Sequence, residues 1–446
     1  MNRSWTLPPS LLALSAEAEA QATANDEYEI ADRVHQRLVR DLDESVLRDP
    51  DRDRARARIE LAARQTATEM FPTLAGDAKE EVVTRVADEV IGLGPIEALL
   101  RDPRISEVMV NTPTEVYFER DGILHESDVR FRDDAHIMRV IDRIVSSIGR
   151  HVDEASPMVD ARLHDGSRVN VVIPPLAPRS PVITIRRFLG DRYTMEELAS
   201  IGTLSMDMAA FLEACVKARL AVVVSGGTGS GKTTLLNSLS AFIPERERIV
   251  TIEDPMELKL QQRHVIPLEA RPPSTEGRGE VTQRMLLRNA LRMRPDRILV
   301  GEVRGSEAFD MLQAMNTGHD GSLTTVHANT VRDALGRIEN MVLMAGFDLP
   351  LLAIREQMAS AFYVVVQLSR MPDGTRKITS ISEVTGTEGM TITMQEIFQY
   401  KQRGMGPDGM VLGDHVPTGI RPGFSARFEA YGIQLDQAIF GTGRWN

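Results

Sequence analysis

The spacing of hydrophobic positions changes character along the chain, and each change marks a different kind of element. From Tyr28 to about Val90 the apolar residues recur at helical intervals. Ile30, Val34, Leu38 and Leu42 form one stripe, Ile59, Leu61 and Ala62 part of another, and Val82, Val83, Val86 and Val90 a third. Asp49-Pro50-Asp51 and Phe71-Pro72-Thr73 interrupt the pattern, so residues 26–90 predict a bundle of three helices. Residues 1–25, mostly Ala, Ser, Glu and Gln without periodicity, predict a disordered N-terminus. Past Gly92 short β-branched and aromatic runs take over, among them Val108-Met109-Val110 and Val116-Tyr117-Phe118. Asp121-Gly122 and Asp165-Gly166 are hairpin signals, and His136 to Ile148 is an amphipathic helix with Ile137, Val140, Ile141, Ile144, Val145 and Ile148 facing inward. With strands at 168–173 and 183–188, residues 91–190 predict a separate α+β domain, followed by a linker over 191–203.

Residues 204–446 predict an α/β domain. Ala221-Val222-Val223-Val224 is an uninterrupted β-branched run, the mark of a strand buried on both faces. After it comes Gly226-Gly227-Thr228-Gly229-Ser230-Gly231-Lys232-Thr233, which fits G-x-x-x-x-G-K-[ST], and then Thr234 and a helix carrying Leu235, Leu236, Leu239 and Phe242. Strand, glycine loop and helix start arrive in the order a phosphate cradle requires. Glycines let backbone N–H groups turn inward, and the helix adds partial positive charge. Lys232 is placed for the β/γ-phosphates of ATP or GTP and the Thr233 hydroxyl for Mg²⁺. There is a single such loop, hence one nucleotide site per chain.

Further apolar runs close on chemistry. Ile249-Val250-Thr251-Ile252 ends in Glu253-Asp254, Ile298-Leu299-Val300-Gly301 in Glu302, and Leu323-Thr324-Thr325-Val326 in His327. Parallel sheets present catalytic groups at the carboxyl ends of their strands, so these side chains are expected to face the phosphates. If the Glu253 strand lies one position along the sheet from the loop, Glu253 is expected to activate the water and Glu302 to serve the metal side. His319 is open to either a structural or a site role. The segment 261–280 predicts mainly loop, Tyr363 to Leu368 a strand, Asp373-Gly374 a hairpin, and the region from Lys401 a weakly patterned tail.

Composition narrows the class. A net charge of −12 argues against a protein that coats nucleic acid, so no nucleic-acid partner is expected. The lone cysteine, Cys215, excludes a disulfide framework and a four-cysteine zinc site, and it falls on an apolar helix face. Apolar runs fall far short of the roughly 20 residues needed to cross a bilayer, and the N-terminus lacks a secretory pattern, so a cytoplasmic location is expected.

Three segments together resemble a known family: TIEDPMEL at Thr251 to Leu258 its Asp box, NALRMRPDRILVGEVRG at Asn289 to Gly305 its atypical Walker B, and TGHDGSLTTVHAN at Thr317 to Asn329 its His box. These are features of the secretion ATPases of type II secretion, type IV pili and conjugation. SEVMVN from Ser106, VDARLHDGSRVNVVIPP from Val159 and ITIRRF from Ile183 resemble the N-terminal domain of the CpaF-type motor of tight-adherence (Tad, type IVc) pili, although Asn111-Thr112-Pro113 departs from the glycine expected after Asn. The resemblance implies a RecA-like ATPase domain preceded by a PAS-like domain, assembled as a homohexamer. It implies ATP and Mg²⁺ held at the junction of the two domains, and peripheral association with inner-membrane pilus platform proteins. Residue by residue it implies Lys232 and Thr233 on phosphate and Mg²⁺ and Glu253 and Glu302 sharing water and metal. It further implies His327 sensing the γ-phosphate, and Arg168 and Arg186 reaching the phosphates. Arg187 alternates away from Arg186, so at most one of that pair faces the nucleotide. A type II or conjugation motor, or a nucleic-acid translocase, would use the same loop.

Overall fold

The computed structural model describes residues 28–41, 46, 51–74, 76–146, 151–163, 165–187, 193–273 and 278–441. The expectation for residues 1–25 falls outside these, as do Asp49-Pro50 and part of the linker. The chain divides into two compact units, 1–189 and 190–446.

In the first unit, helices over 28–41, Arg52–Met70 and Asp77–Ile91 close on Val34, Leu38, Ile59, Ala63, Val82 and Val86. Asp51 starts the middle helix by accepting from the Asp53 and Arg54 amides. The rest of the unit is a six-stranded sheet: β1 (Ile105–Thr112), β2 (Glu115–Arg120), β3 (Ile123–Glu126), β4 (Met158–Arg162), β5 (Arg168–Val172) and β6 (Val182–Arg186), in the order β3-β2-β1-β6-β5-β4. All its pairs are antiparallel. The helix Asp134–Ser146 buries Ile137, Val140, Ile141, Ile144 and Val145 in the same core as the strands. At the β2–β3 turn Asp121 and Gly122 take φ of 52° and 81°, the left-handed pair that Asp-Gly accommodates.

The second unit is organised by a nine-stranded sheet: β7 (Val222–Gly226), β8 (Ile249–Glu253), β9 (Val265–Glu269), β10 (Arg297–Val300), β11 (Leu323–His327), β12 (Val364–Arg370), β13 (Arg376–Glu388), β14 (Thr391–Met405) and β15 (Val411–Pro417). The order is β15-β14-β13-β12-β7-β11-β10-β8-β9. Every residue of β7, β8 and β10 is buried, because helices cover both faces. Val222 and Val224 enter the core lined by the helices Met206–Lys217 and Lys232–Ser240. Ala221 and Val223 enter the opposite one, lined by Glu307–Asn316, Val331–Leu343 and Leu351–Ala361. Cys215 is fully buried in the first of these.

Three expectations need correction. The Glu253 strand is not beside the loop: β8 is the third strand from β7, and β11 and β12 flank it. The segment 261–280 contributes β9, an edge strand parallel to β8, where Pro267 costs no ladder bond to a further strand. The region past Lys401 is not a weakly patterned tail, since β14 and β15 continue an antiparallel meander that begins at β12.

The amino ends of β10 and β11 are fastened by a buried ion pair. Arg297 is fully buried, with Nε donating to Glu247 Oε2 at 2.6 Å and Nη1 to the Gly321 carbonyl at 3.2 Å. Arg219 Nη2 lies 3.2 Å from the other oxygen of Glu247. A Cβ on Gly321 would come within 2.5 Å of Arg297 Nη1, so only glycine fits there. Glu247→Ala would leave a buried guanidinium uncompensated, an expected loss of about 3–5 kcal/mol read from chemical denaturation. A midpoint unchanged from the parent chain would count against that account.

Candidate functional site

The phosphate loop is shaped by exclusion. A Cβ at Gly226 would lie 2.4 Å from Ser230 Oγ and 2.7 Å from the Leu368 carbonyl oxygen, so no side chain fits there. Gly229 and Gly231 take φ of 69° and 94°, which glycine adopts without steric cost. Lys232 begins the helix, and among the described residues no side chain caps its start. The first amides and the positive end of the dipole therefore point at whatever anion the loop encloses. Thr228 is exposed, Ser230 is buried with its hydroxyl on the Gly227 carbonyl at 2.9 Å, and Thr234 is half-buried.

Parallel pairing sets the other groups around this loop. β11 runs beside β7 with His327 opposite Gly226, which brings the imidazole to the loop. Lys232 Nζ donates to the Gly227 carbonyl at 2.9 Å and stands 3.4 Å from His327 Nδ1. On the other side of the ring, Nε2 lies 3.4 Å from Glu302 Oε1. Lysine, histidine and glutamate thus form one line across the ends of β7, β11 and β10. Glu302 is held by its backbone: the Gly301 amide donates to Ile252 O at 2.9 Å, the Gly301 carbonyl accepts from Thr325 Oγ1 at 2.7 Å, and the Val303 amide donates to Thr325 O at 2.9 Å. Both Glu302 and His327 remain about one-third exposed, within reach of a reactant.

Glu253 is differently placed. It is 1% exposed, and its carboxylate is engaged by its own segment. Oε2 accepts from the Glu257 and Leu258 amides at 2.6 and 2.7 Å, and Oε1 from the Thr251 hydroxyl at 3.0 Å. Burial pushes its pKa above the ordinary glutamate value, and those bonds offset only part of the shift. Gly301 gives it room, since a Cβ there would touch Glu253 Cγ at 3.0 Å. The bonds fold the loop so that Glu257 turns back to the phosphate loop, where its Oε2 accepts from Thr233 Oγ1 at 3.2 Å. A hydroxyl and a carboxylate side by side next to a phosphate cradle suit a hard divalent cation.

Asp254 is exposed and meets Arg304, which donates to its carbonyl and lies 3.4 Å from its Oδ2. Glu307 accepts from the Arg304 and Gly305 amides at 2.7 and 2.8 Å. Sequence reasoning passed over Glu257 and Arg304. The signal for Glu257 was a second glutamate four positions after Glu253, just past a proline turn. His319 sits at the opposite end of β11, its Nδ1 3.2 Å from the Ala314 carbonyl, in a structural role.

Arg168 and Arg186 belong to the first unit, where they are direct partners across β5 and β6, and Arg186 Nε is 3.6 Å from Glu107 Oε1. Arg187 turns the other way, donating to the carbonyls of Asp102 and Ile105.

Residues 88–405 match the model of the type II/IV secretion system protein family. The chain belongs to that family. It is an ATP-hydrolysing enzyme of the family. Among relatives, a Mycobacterium tuberculosis protein named for conjugal transfer is 37% identical over 332 residues, 73% of this chain and 93% of that protein. The type IV secretion system protein VirB11 of Bartonella quintana is 32% identical over 337 residues, covering 66% of this chain and 93% of that one. The crystal structure of the VirB11 ATPase of Brucella suis in complex with sulphate aligns at 31% identity and a TM-score of 0.35, over 64% of this chain and 94% of that one. Among the described residues no helix is long and apolar enough to cross a membrane.

Proposed function

We propose that this ATPase is the homohexameric motor of a Tad (type IVc) pilus, driving its assembly from the cytoplasmic face of the inner membrane through platform proteins. The support is the site geometry combined with the CpaF-like runs of the N-terminal unit. The line Lys232–His327–Glu302 and the pair Thr233–Glu257 give a phosphate cradle, a metal position and a half-buried carboxylate beside an imidazole. Phosphoryl transfer asks for positioning and charge neutralisation of this kind. Lys232 and the loop amides hold the phosphates of ATP, and Thr233 with Glu257 holds Mg²⁺. His327 reports on the phosphate end, and Glu302 orients the water. Glu253 positions the loop that carries Glu257. This division differs from the one drawn from the sequence, because that one rested on β8 lying next to β7 and because the Glu253 oxygens are engaged by three donors of its own segment.

A conjugation-type motor is the second reading, favoured by the relatives named for conjugal transfer and type IV secretion. Deleting the gene in its own cell and restoring either the wild-type chain or Lys232→Ala separates the two. The pilus reading expects loss of surface pili, recovered only by the wild-type chain, with DNA transfer intact. Loss of DNA transfer with pili intact would move the assignment to conjugation.

A further inference from the structure

Outside the three boxes, one element touches both the phosphate loop and the histidine segment: the hairpin of β12 and β13. β12 pairs in parallel with β7 from Val364 opposite Val222 to Leu368 opposite Gly226, so the hairpin emerges beside the loop. Asp373 locks the turn. Its Oδ1 accepts from the Thr375 amide and hydroxyl at 2.9 and 2.6 Å, and its Oδ2 from the amide of Val411, the first residue of β15, at 2.7 Å. From this fixed turn Arg376 extends to the phosphate loop, its Nε donating to the Gly229 carbonyl at 3.0 Å. In a trans peptide the Gly229 carbonyl and the Ser230 N–H point in opposite directions. A donor that holds that carbonyl outward therefore holds the Ser230 amide on the inner side of the loop. There this amide, the Ser230 hydroxyl and the Lys232 ammonium share the Gly227 carbonyl at 3.4, 2.9 and 2.9 Å. The same hairpin grips the histidine. Gln367 on β12 is 4% exposed, and its Nε2 donates to the carbonyls of Ala328 and Asn329 at 3.1 and 3.2 Å. These are the two residues that follow His327.

We propose that the β12–β13 hairpin is a second clamp on the nucleotide site, in which Arg376 positions the phosphate loop for binding and Gln367 positions the His327 segment for turnover. The proposal rests on the nucleotide-site reading above. The two contacts act at different stages. Loop geometry serves the bound nucleotide and the transition state alike, so its loss raises KM and leaves kcat. Displacing His327, which stands between Lys232 and Glu302, is felt in kcat. An arginine that merely solvates a surface carbonyl, or a glutamine that merely fills the core, would produce no such split.

The test uses the intact chain and compares wild type with Arg376→Ala, Arg376→Gln, Gln367→Leu and Gln367→Met. Arg403→Ala, an exposed pair with Asp414 elsewhere in the meander, is the control. Affinity is read with a fluorescent ATP analogue and Mg²⁺, turnover by phosphate release, and folding by thermal midpoint. Arg376→Ala is expected to weaken binding and raise KM by about tenfold, with kcat within about twofold, the size of one lost hydrogen bond from a charged donor. Arg376→Gln recovers part of that loss, since an amide N–H still reaches Gly229. Both Gln367 variants lower kcat by about tenfold with affinity held within about twofold, and Arg403→Ala matches wild type. Wild-type affinity and KM in Arg376→Ala, with wild-type kcat in a folded Gln367 variant, would overturn the clamp while leaving the nucleotide site standing. A wild-type chain that binds no nucleotide would overturn both.

Discussion

Lys232→Ala is expected to abolish ATP hydrolysis without unfolding the protein. The ammonium donates to the Gly227 carbonyl at 2.9 Å and stands 3.4 Å from His327 Nδ1. Removing it deletes the charge facing the β/γ-phosphates in both ground and transition states, so affinity and turnover both suffer. A single preorganised donor of this kind is worth about 10²–10³ in rate, and the loss of charge neutralisation adds to it, which takes hydrolysis to background. The core of the unit does not depend on Lys232. The hydrophobic residues of its helix, Leu235, Leu236 and Leu239, belong to the adjoining core and are unaffected. The thermal midpoint should stay within a few degrees of wild type while phosphate release falls to background. Turnover surviving in a folded Lys232→Ala protein would remove the loop from the reaction altogether.

What the sequence made legible, and what it hid, follows from burial. The strands β7, β8, β10 and β11 are read from sequence because helices cover both their faces, and only unbroken β-branched runs satisfy that environment. The chemistry at their ends is equally plain, since the β7 run leads into the glycine loop and the β8, β10 and β11 runs lead to Glu253, Glu302 and His327. Their order across the sheet is not. Runs such as Val222-Val223-Val224 and Ile298-Leu299-Val300 are interchangeable as neighbours, so nothing local says that β11 rather than β8 lies beside the loop. That ambiguity is what put the Glu253 strand beside the loop, where the structure instead has β11, with His327 opposite Gly226. The meander escaped for a different reason. Strands such as β13 and β14 intersperse Thr379, Ser380, Ser382, Gln395, Glu396 and Gln399 with the core residues Ile378, Ile381, Ile397 and Phe398, so no unbroken apolar run marks them. The contact from Arg376 to Gly229 spans 147 positions and has no sequence signature at all.

Three glutamate variants divide the remaining chemistry. Glu302→Gln keeps shape and removes the charge of a half-buried carboxylate 3.4 Å from His327, so kcat should fall by about 10²–10⁴, the usual contribution of a positioned acid or base. Its Mg²⁺ requirement should hardly move. Glu257→Gln weakens the partner of the Thr233 hydroxyl, so the Mg²⁺ concentration for half-maximal rate should rise while the rate at saturating Mg²⁺ stays nearer wild type. Glu253→Gln should be the mildest in rate, because an amide oxygen can still accept from the Glu257 and Leu258 amides. Its effect on stability has a sign set by burial. The folded state raises the Glu253 pKa, so this group's contribution is fully present below the ordinary glutamate value and is lost as pH rises through the raised one. The neutral glutamine does not titrate, so relative to wild type Glu253→Gln should gain stability as pH climbs through that window. Phosphate release measured against Mg²⁺, with thermal midpoints between about pH 4 and 8 to bracket the ordinary glutamate value, resolves all three. Should Glu253→Gln lose as much kcat as predicted for Glu302→Gln, and Glu302→Gln shift the Mg²⁺ requirement instead, the roles return to those the strand-end reading of the sequence assigned.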